Sequence, residues 1–199
     1  MEVPGPSFAL VAIGASWGGL DALASVLGAL PATFGCAVAV VQHRNEHESP
    51  LAALLDRRTC WEVREAEDKE PVQPGTLFVA PPNYHLLVER GAFALSTDAP
   101  VQFSRPSIDV LFESAADEYS ECVIGVVLTG ANTDGATGAR RIKERGGRVI
   151  VQEPRTAARP EMPTAAIAAC TPDAVLPLDA IAPHLVELCP MPEPAEGSR

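Results

Sequence analysis

Phe8-Ala9-Leu10-Val11-Ala12-Ile13-Gly14-Ala15-Ser16-Trp17-Gly18-Gly19-Leu20-Asp21-Ala22-Leu23-Ala24-Ser25-Val26-Leu27 is the stretch whose reading decides the fold. The apolar run Phe8 to Ile13 is too short for a lone helix and is bounded by turn residues, so it predicts a buried strand. Leu20, Leu23, Ala24 and Leu27 then recur at helical spacing and share one face. A strand, a glycine-rich turn and a helix put the hydroxyl of Ser16 at a tight corner, where glycine allows backbone angles closed to other residues. Three readings fit that corner. Gly14-x-Ser16-x-Gly18 matches the nucleophile elbow, with the serine on a sharp strand-to-helix turn. The same turn suits a phosphate at a helix N-terminus. The plainest reading is a serine N-cap. A dinucleotide fingerprint fits poorly, because its third glycine is out of register.

The rest of the chain repeats the pattern. Strands are expected at 36–41, near Trp61-Glu62-Val63, and at 77–80, 122–128, 148–151 and 174–176. His85 to Glu89 and Ala92 to Leu95 flank Arg90-Gly91 as a hairpin. Ser49-Pro50 predicts a capped helix start with proline at the first helical position. Ser104 to Ser107 opens a helix with Val110, Leu111, Ala115 and Ala116 as its apolar stripe. Residues 154–163 are expected as a loop, with helix from Thr164 to Ala169 and a closing helix from Leu178 to Leu188. Strands alternating with helices imply a mostly parallel sheet of about seven strands, covered on both faces. The expected fold is thus a Rossmann-like three-layer α/β/α sandwich with one antiparallel hairpin. Residues 1–7 are expected as a leader, 8–189 as one catalytic domain and 190–199 as a disordered tail.

Ligands of such folds bind beyond the carboxyl ends of the strands. Ser16 follows the first strand, His43 the second, and Asp134 the strand ending at Leu128, so all three fall on one sheet edge. A nucleophile, a base and a carboxylate that orients the base are the parts of an acyl-transfer triad. Their order along the chain differs from that of α/β-hydrolases, so the elbow match is local. Each residue also has a plainer role. His43 and His47, four apart, make a weak metal pair with no third ligand at a recognisable spacing. His85 caps the hairpin or lines the cleft, His184 lies at the surface of the closing helix, and Asp134 or Thr133 caps its own helix.

Composition narrows the function. The 199 residues carry a net charge of −11, which disfavours nucleic acid and anionic membrane surfaces as partners. No segment shows a signal-peptide pattern and no apolar run reaches about 20 residues, so neither a signal peptide nor membrane insertion is expected. Five cysteines without paired spacing point to buried free thiols in a cytoplasmic protein.

Six segments in order resemble the motifs of the chemotaxis protein-glutamate methylesterase (CheB-type) catalytic domain. They are Val11 to Ser16, Val41-Gln42-His43, Ala80 to His85, Arg105 to Phe112, Leu128 to Ala136 and Glu161-Met162-Pro163. The resemblance runs from about Phe8 to Leu188. It implies hydrolysis of glutamate methyl esters on the cytoplasmic helices of chemoreceptors, with glutamine deamidation in some members, and no cofactor. The family's catalytic serine, histidine and aspartate map onto Ser16, His43 and Asp134. Backbone N–H groups at Trp17 and around Gly130-Ala131 are candidate oxyanion donors. Arg44, beside the base, is a candidate for reading a substrate carboxylate. Three places depart from the family pattern. Trp17 replaces a small residue, Arg44-Asn45 replace Met-Pro, and Ala131-Asn132 replace Met-Gly. The receiver domain that precedes many such domains has no counterpart in the sequence, so control by phosphorylation in cis is not expected; a separate regulator in trans, a partner protein and constitutive activity are the alternatives. The alternatives are a methylesterase-like scaffold and a hydrolase of another ester.

Overall fold

A computed structural model describes residues 8–43 and 50–189. The predicted strand, turn and helix appear as β1 (Leu10–Ala15) and α1 (Gly19–Ala29). They are followed by β2 (Ala37–Gln42), α2 (Leu51–Asp56), β3 (Glu62–Glu65), β4 (Thr76–Val79), β5 (His85–Glu89) and β6 (Ala92–Ser96). The second half comprises α3 (Ile108–Tyr119), β7 (Val123–Val127), α4 (Ala136–Glu144), β8 (Arg148–Gln152), α5 (Glu161–Ala169), β9 (Ala174–Leu176) and α6 (Leu178–Leu188).

Seven strands form one sheet in the order β3-β4-β2-β1-β7-β8-β9, and every pairing in it is parallel. β5 and β6 make a separate antiparallel pair. Alternate residues of each strand enter opposite cores. Val11, Ile13, Val38 and Val40 pack with Leu23, Leu27 and Leu185 from α1 and α6. Leu10, Ala12, Ala39 and Val41 pack with Leu111 and Phe112 of α3 and Ile142 of α4. This is the three-layer sandwich expected from the sequence. Each large apolar side chain so buried contributes roughly 1.5–3 kcal/mol.

Chain order reverses direction across the sheet at β1, with β2 on one side and β7 on the other. Ligands of doubly wound folds bind at such a switch point. The register sets the heights there: Ala15 pairs with Gln42, and Gly14 with both Val41 and Val127. Pairing continues one step past the strands, with His43 N–H donating to the Ala15 carbonyl (3.1 Å) and Ser16 N–H to that of Thr129 (2.9 Å). Ser16 and His43 therefore leave the sheet at the same level.

Several local expectations need correction. The second helix starts at Leu51 with Pro50 at the N-cap position, and Ser49 lies outside the described residues. α3 starts at Ile108, four residues after Ser104, because Val101–Ser104 is closed as a turn. Its buried face is Ile108, Leu111, Phe112, Ala115 and Ala116, with Val110 half-buried at the margin. The 154–163 segment is only partly loop: Pro154–Thr156 is a 3₁₀ turn and α5 begins at Glu161. Pro163 is tolerated there because the first turn of a helix has no internal use for its N–H. All five cysteines are free, but only Cys36 and Cys189 are buried; Cys122 and Cys170 are half-buried, and Cys60, in the turn after α2, is exposed. Residues 1–7 and 190–199, expected as leader and tail, lie outside the described residues, as do Arg44 and His47.

Candidate active site

Ser16 sits between β1 and α1, and the turn after it is built around Gly18, whose φ is +75°. The N-cap position is Gly18, and no side chain caps α1, so Ser16 is not its cap. The Ser16 N–H and carbonyl are already engaged, by the Thr129 carbonyl (2.9 Å) and the Gly19 N–H (2.8 Å). These bonds fix the corner and leave the hydroxyl directed to other work. Gly130 lies against it. A Cβ at Gly130 would fall 2.9 Å from Ser16 Cβ and 2.4 Å from Met162 Cε, so only glycine fits between them.

The hydroxyl meets His43. His43 Nδ1 is 3.2 Å from Ser16 Oγ, and His43 Nε2 is 2.7 Å from Asp134 Oδ2. Nε2–H donates to the carboxylate, so Nδ1 carries the lone pair that faces the serine. Asn132 supports this tautomer. Its Nδ2 lies 3.2 Å from His43 Nδ1, while its Oδ1 accepts the Asp134 N–H at 3.3 Å, which fixes which end of the amide faces the ring.

Asp134 is buried and does not act only at the end of its own chain segment. Its carboxylate accepts from Ile108 N–H (2.7 Å) and Asp109 N–H (2.9 Å), the first amides of α3. It also accepts from Ser107 Oγ–H (2.8 Å) and Gly135 N–H (3.0 Å). So Asp134 caps α3, a helix more than twenty residues earlier, where the sequence suggested its own helix. Burial would raise its pKa, but the His43 bond and the α3 amides outweigh this and hold it below the ordinary carboxylate value. The carboxylate is thus kept anionic, facing the histidine.

His85 neither caps the hairpin nor lines the cleft. It is buried, and its Nδ1 accepts the Ser107 N–H (3.2 Å) while Nε2–H donates to the Ala99 carbonyl (3.2 Å). Its role is to hold Ser107, which in turn holds Asp134. His184 pairs with Glu187 on α6, away from these residues. Behind the triad, Asp109 accepts from Gly138 N–H (2.7 Å) and Gln102 Nε2–H (2.9 Å). Burial pushes its pKa up to about 6 against the lowering effect of the Gly138 bond, and the neighbouring Asp134 charge adds to the rise.

The three residues open into a cleft of about 510 Å³ lined by Ser16, Trp17, His43, Phe103, Arg105 and Ala131, among others. Trp17 is 65% exposed, with the Arg159 guanidinium 5.6 Å over its ring. Among the described residues, the N–H groups of Trp17 and Ala131 meet no acceptor. The N–H of Gly130, also a candidate donor from sequence, is taken by the Arg159 carbonyl at 3.1 Å. Gly130 serves instead by lacking a side chain. Arg44 lies outside the described residues. Sequence reasoning did not single out Ser107, His85, Asn132 or Met162 for these duties. Ser107 and Met162 did fall within the quoted motifs, and Asn132 stood out as a departure.

Comparison with known proteins follows the same outline. A family model described as CheB methylesterase matches residues 11–185. A protein of Leptospira interrogans (strain Fiocruz L1-130) is 44% identical over 184 residues, covering 92% of this chain and 95% of that protein. Protein-glutamate methylesterase/protein-glutamine glutaminase 1 of Cupriavidus pinatubonensis is 44% identical over 200 residues, covering 98% of this chain and 59% of the relative. The chain thus spans nearly the whole of the first relative and about three-fifths of the second. The crystal structure of the Thermotoga maritima CheB methylesterase catalytic domain superposes with a TM-score of 0.86 at 36% identity, covering 92% of this chain and 99% of that one.

Proposed function

The chain belongs to the CheB methylesterase family, and on that premise we propose that it hydrolyses glutamate methyl esters on proteins through Ser16, His43 and Asp134. The observation that carries this reading is the imidazole bridging a serine hydroxyl at 3.2 Å and a buried carboxylate at 2.7 Å. His43 Nδ1 takes the Ser16 proton as Oγ attacks the ester carbonyl. Asp134 holds Nε2–H and stabilises the imidazolium that forms. The N–H groups of Trp17 and Ala131, which meet no acceptor among the described residues, would receive the developing oxyanion, and one such donor is worth about 3 kcal/mol of barrier. Methoxide takes the proton from Nδ1 and leaves as methanol, which yields a glutamyl-enzyme. Water then attacks that ester with His43 again as base, releasing the glutamate carboxylate and restoring Ser16. A glutamine side chain follows the same path, with ammonia as the leaving group.

Residues 8–189 form the catalytic domain in this reading. Its substrates are methylated glutamates on the cytoplasmic helices of chemoreceptors. Its place of work in this reading is the cytoplasm; among the described residues no helix is long and apolar enough to cross a membrane. The test is methanol release from methylated receptor membranes. Ser16→Ala should lower the rate by about 10⁴-fold or more. Unchanged release by the variant would overturn the assignment. A fluorophosphonate should label the wild-type chain once, at Ser16, which a scaffold without a working triad would not allow.

A further inference from the structure

Gln102 and Phe103 form the tip of a tight turn. Val101 and Ser104 close it with two backbone bonds, N–H to carbonyl in each direction, at 3.1 and 2.9 Å. Both tip residues have positive φ, +47° and +65°. A two-residue tip of this kind is ordinarily Asn-Gly or Gly-Gly, because other residues are strained there. Here one position holds phenylalanine, and its side chain is fully exposed. No packing within the described chain accounts for it. Backbone strain of this sort concentrates at functional sites.

The turn is also rigidly placed. Gln102 donates from Nε2 to Asp109 Oδ2 (2.9 Å) and accepts at Oε1 from the Thr133 hydroxyl (2.7 Å). Asp109 lies on the helix that Asp134 caps, and Thr133 precedes Asp134 in the chain. The tip is therefore anchored to the frame that holds the triad, and Phe103 lines the cleft with Ser16 and His43. Trp17, the other exposed aromatic of the cleft, carries Arg159 over its ring.

We propose that Phe103 is a specificity-determining residue that packs against an aliphatic side chain of the protein segment bearing the scissile ester. This rests on the methylesterase reading and goes beyond it by naming what surrounds the reactive glutamate. The cleft, at about 510 Å³, is far larger than one glutamyl methyl ester needs, so neighbouring side chains enter with it. An aromatic carried on an anchored turn has only two side-chain torsions to fix on binding, which suits it as an anchor.

The test uses the full chain and helical peptides with one glutamate γ-methyl ester and either leucine or serine one helical turn before or after the ester. Wild type should show a KM about tenfold lower for a leucine peptide than for its serine counterpart, with kcat within twofold. Phe103→Asn, whose new residue suits a left-handed turn, should lose that discrimination, and Phe103→Tyr should keep it. Equal KM values for the leucine and serine peptides with wild type would overturn the inference, whether or not the variants fold. So would discrimination retained by a folded Phe103→Asn. Wild type that releases methanol from neither peptides nor methylated receptors would instead overturn the methylesterase reading itself.

Discussion

Gly130 and Asp134 show how single residues set the chemistry without reacting. A methyl group at Gly130 would drive into Met162 Cε and crowd Ser16 Cβ. Gly130→Ala should therefore displace the nucleophile and lower kcat/KM by about 100-fold, the usual result of a misplacement near 1 Å. Steady-state methanol release measures this, and fluorophosphonate labelling should slow in step. Asp134→Asn should lower kcat by about 10⁴-fold, since an amide facing Nε2 favours the wrong tautomer of His43. It should also lower the unfolding midpoint, because the amide places one oxygen where the carboxylate placed two toward Ser107, Ile108 and Asp109. A variant with low activity and an unchanged midpoint would show that the capping bonds contribute nothing. The capping of α3 by Asp134 was not legible in the sequence, where an aspartate before a helix reads as that helix's own cap.

α3 is the element on which the site is hung, and it carries a second buried carboxylate. Asp109 has its pKa raised from 3.8 to about 6, so the native state binds the proton more tightly than the unfolded chain. Its contribution is therefore most favourable below about pH 4, is lost as pH rises towards about 6, and is flat above that. The total is on the order of 2–3 kcal/mol. Asp134 has the opposite sign, because its lowered pKa gives stability that is present above the ordinary carboxylate range and is lost as pH falls. Asp109→Asn isolates the first effect. The difference in unfolding free energy, variant minus wild type, should grow in the variant's favour between pH 4 and pH 6 and then level off. Urea titrations at four pH values check this, and a pH-independent difference would show that the fold leaves the Asp109 pKa where the unfolded chain has it. At this scale the sequence located α3 but not its start. Its buried stripe includes Ile108 and Phe112, where periodicity read from Ser104 favoured Val110. The turn at 101–104 occupies the residues that would have been its first, and tertiary hydrogen bonds hold that turn.

Over the whole molecule, two cores share one sheet, and each strand supplies alternate residues to both. Leu23→Ala, in the core under α1, and Leu111→Ala, in the core under α3, should each destabilise by about 2–5 kcal/mol. Both should shift one common unfolding transition, since neither core has a sheet of its own; two separate transitions in denaturant would count against this. The sequence by itself determined the layered α/β fold and the sheet edge to which Ser16, His43 and Asp134 belong. Those follow from short-range rules, since apolar runs of strand length, turn glycines and helical spacing are local properties, and strand ends point one way in a parallel sheet. Tertiary structure alone decided the order of the strands, the sense of the imidazole between serine and aspartate, and the capping of α3 by Asp134. It also decided the burial of His85 behind Ser107 and the exposure of Phe103 at the cleft. These depend on pairs of residues tens of positions apart meeting within hydrogen-bond or van der Waals distance, and no periodicity along the chain encodes such a meeting.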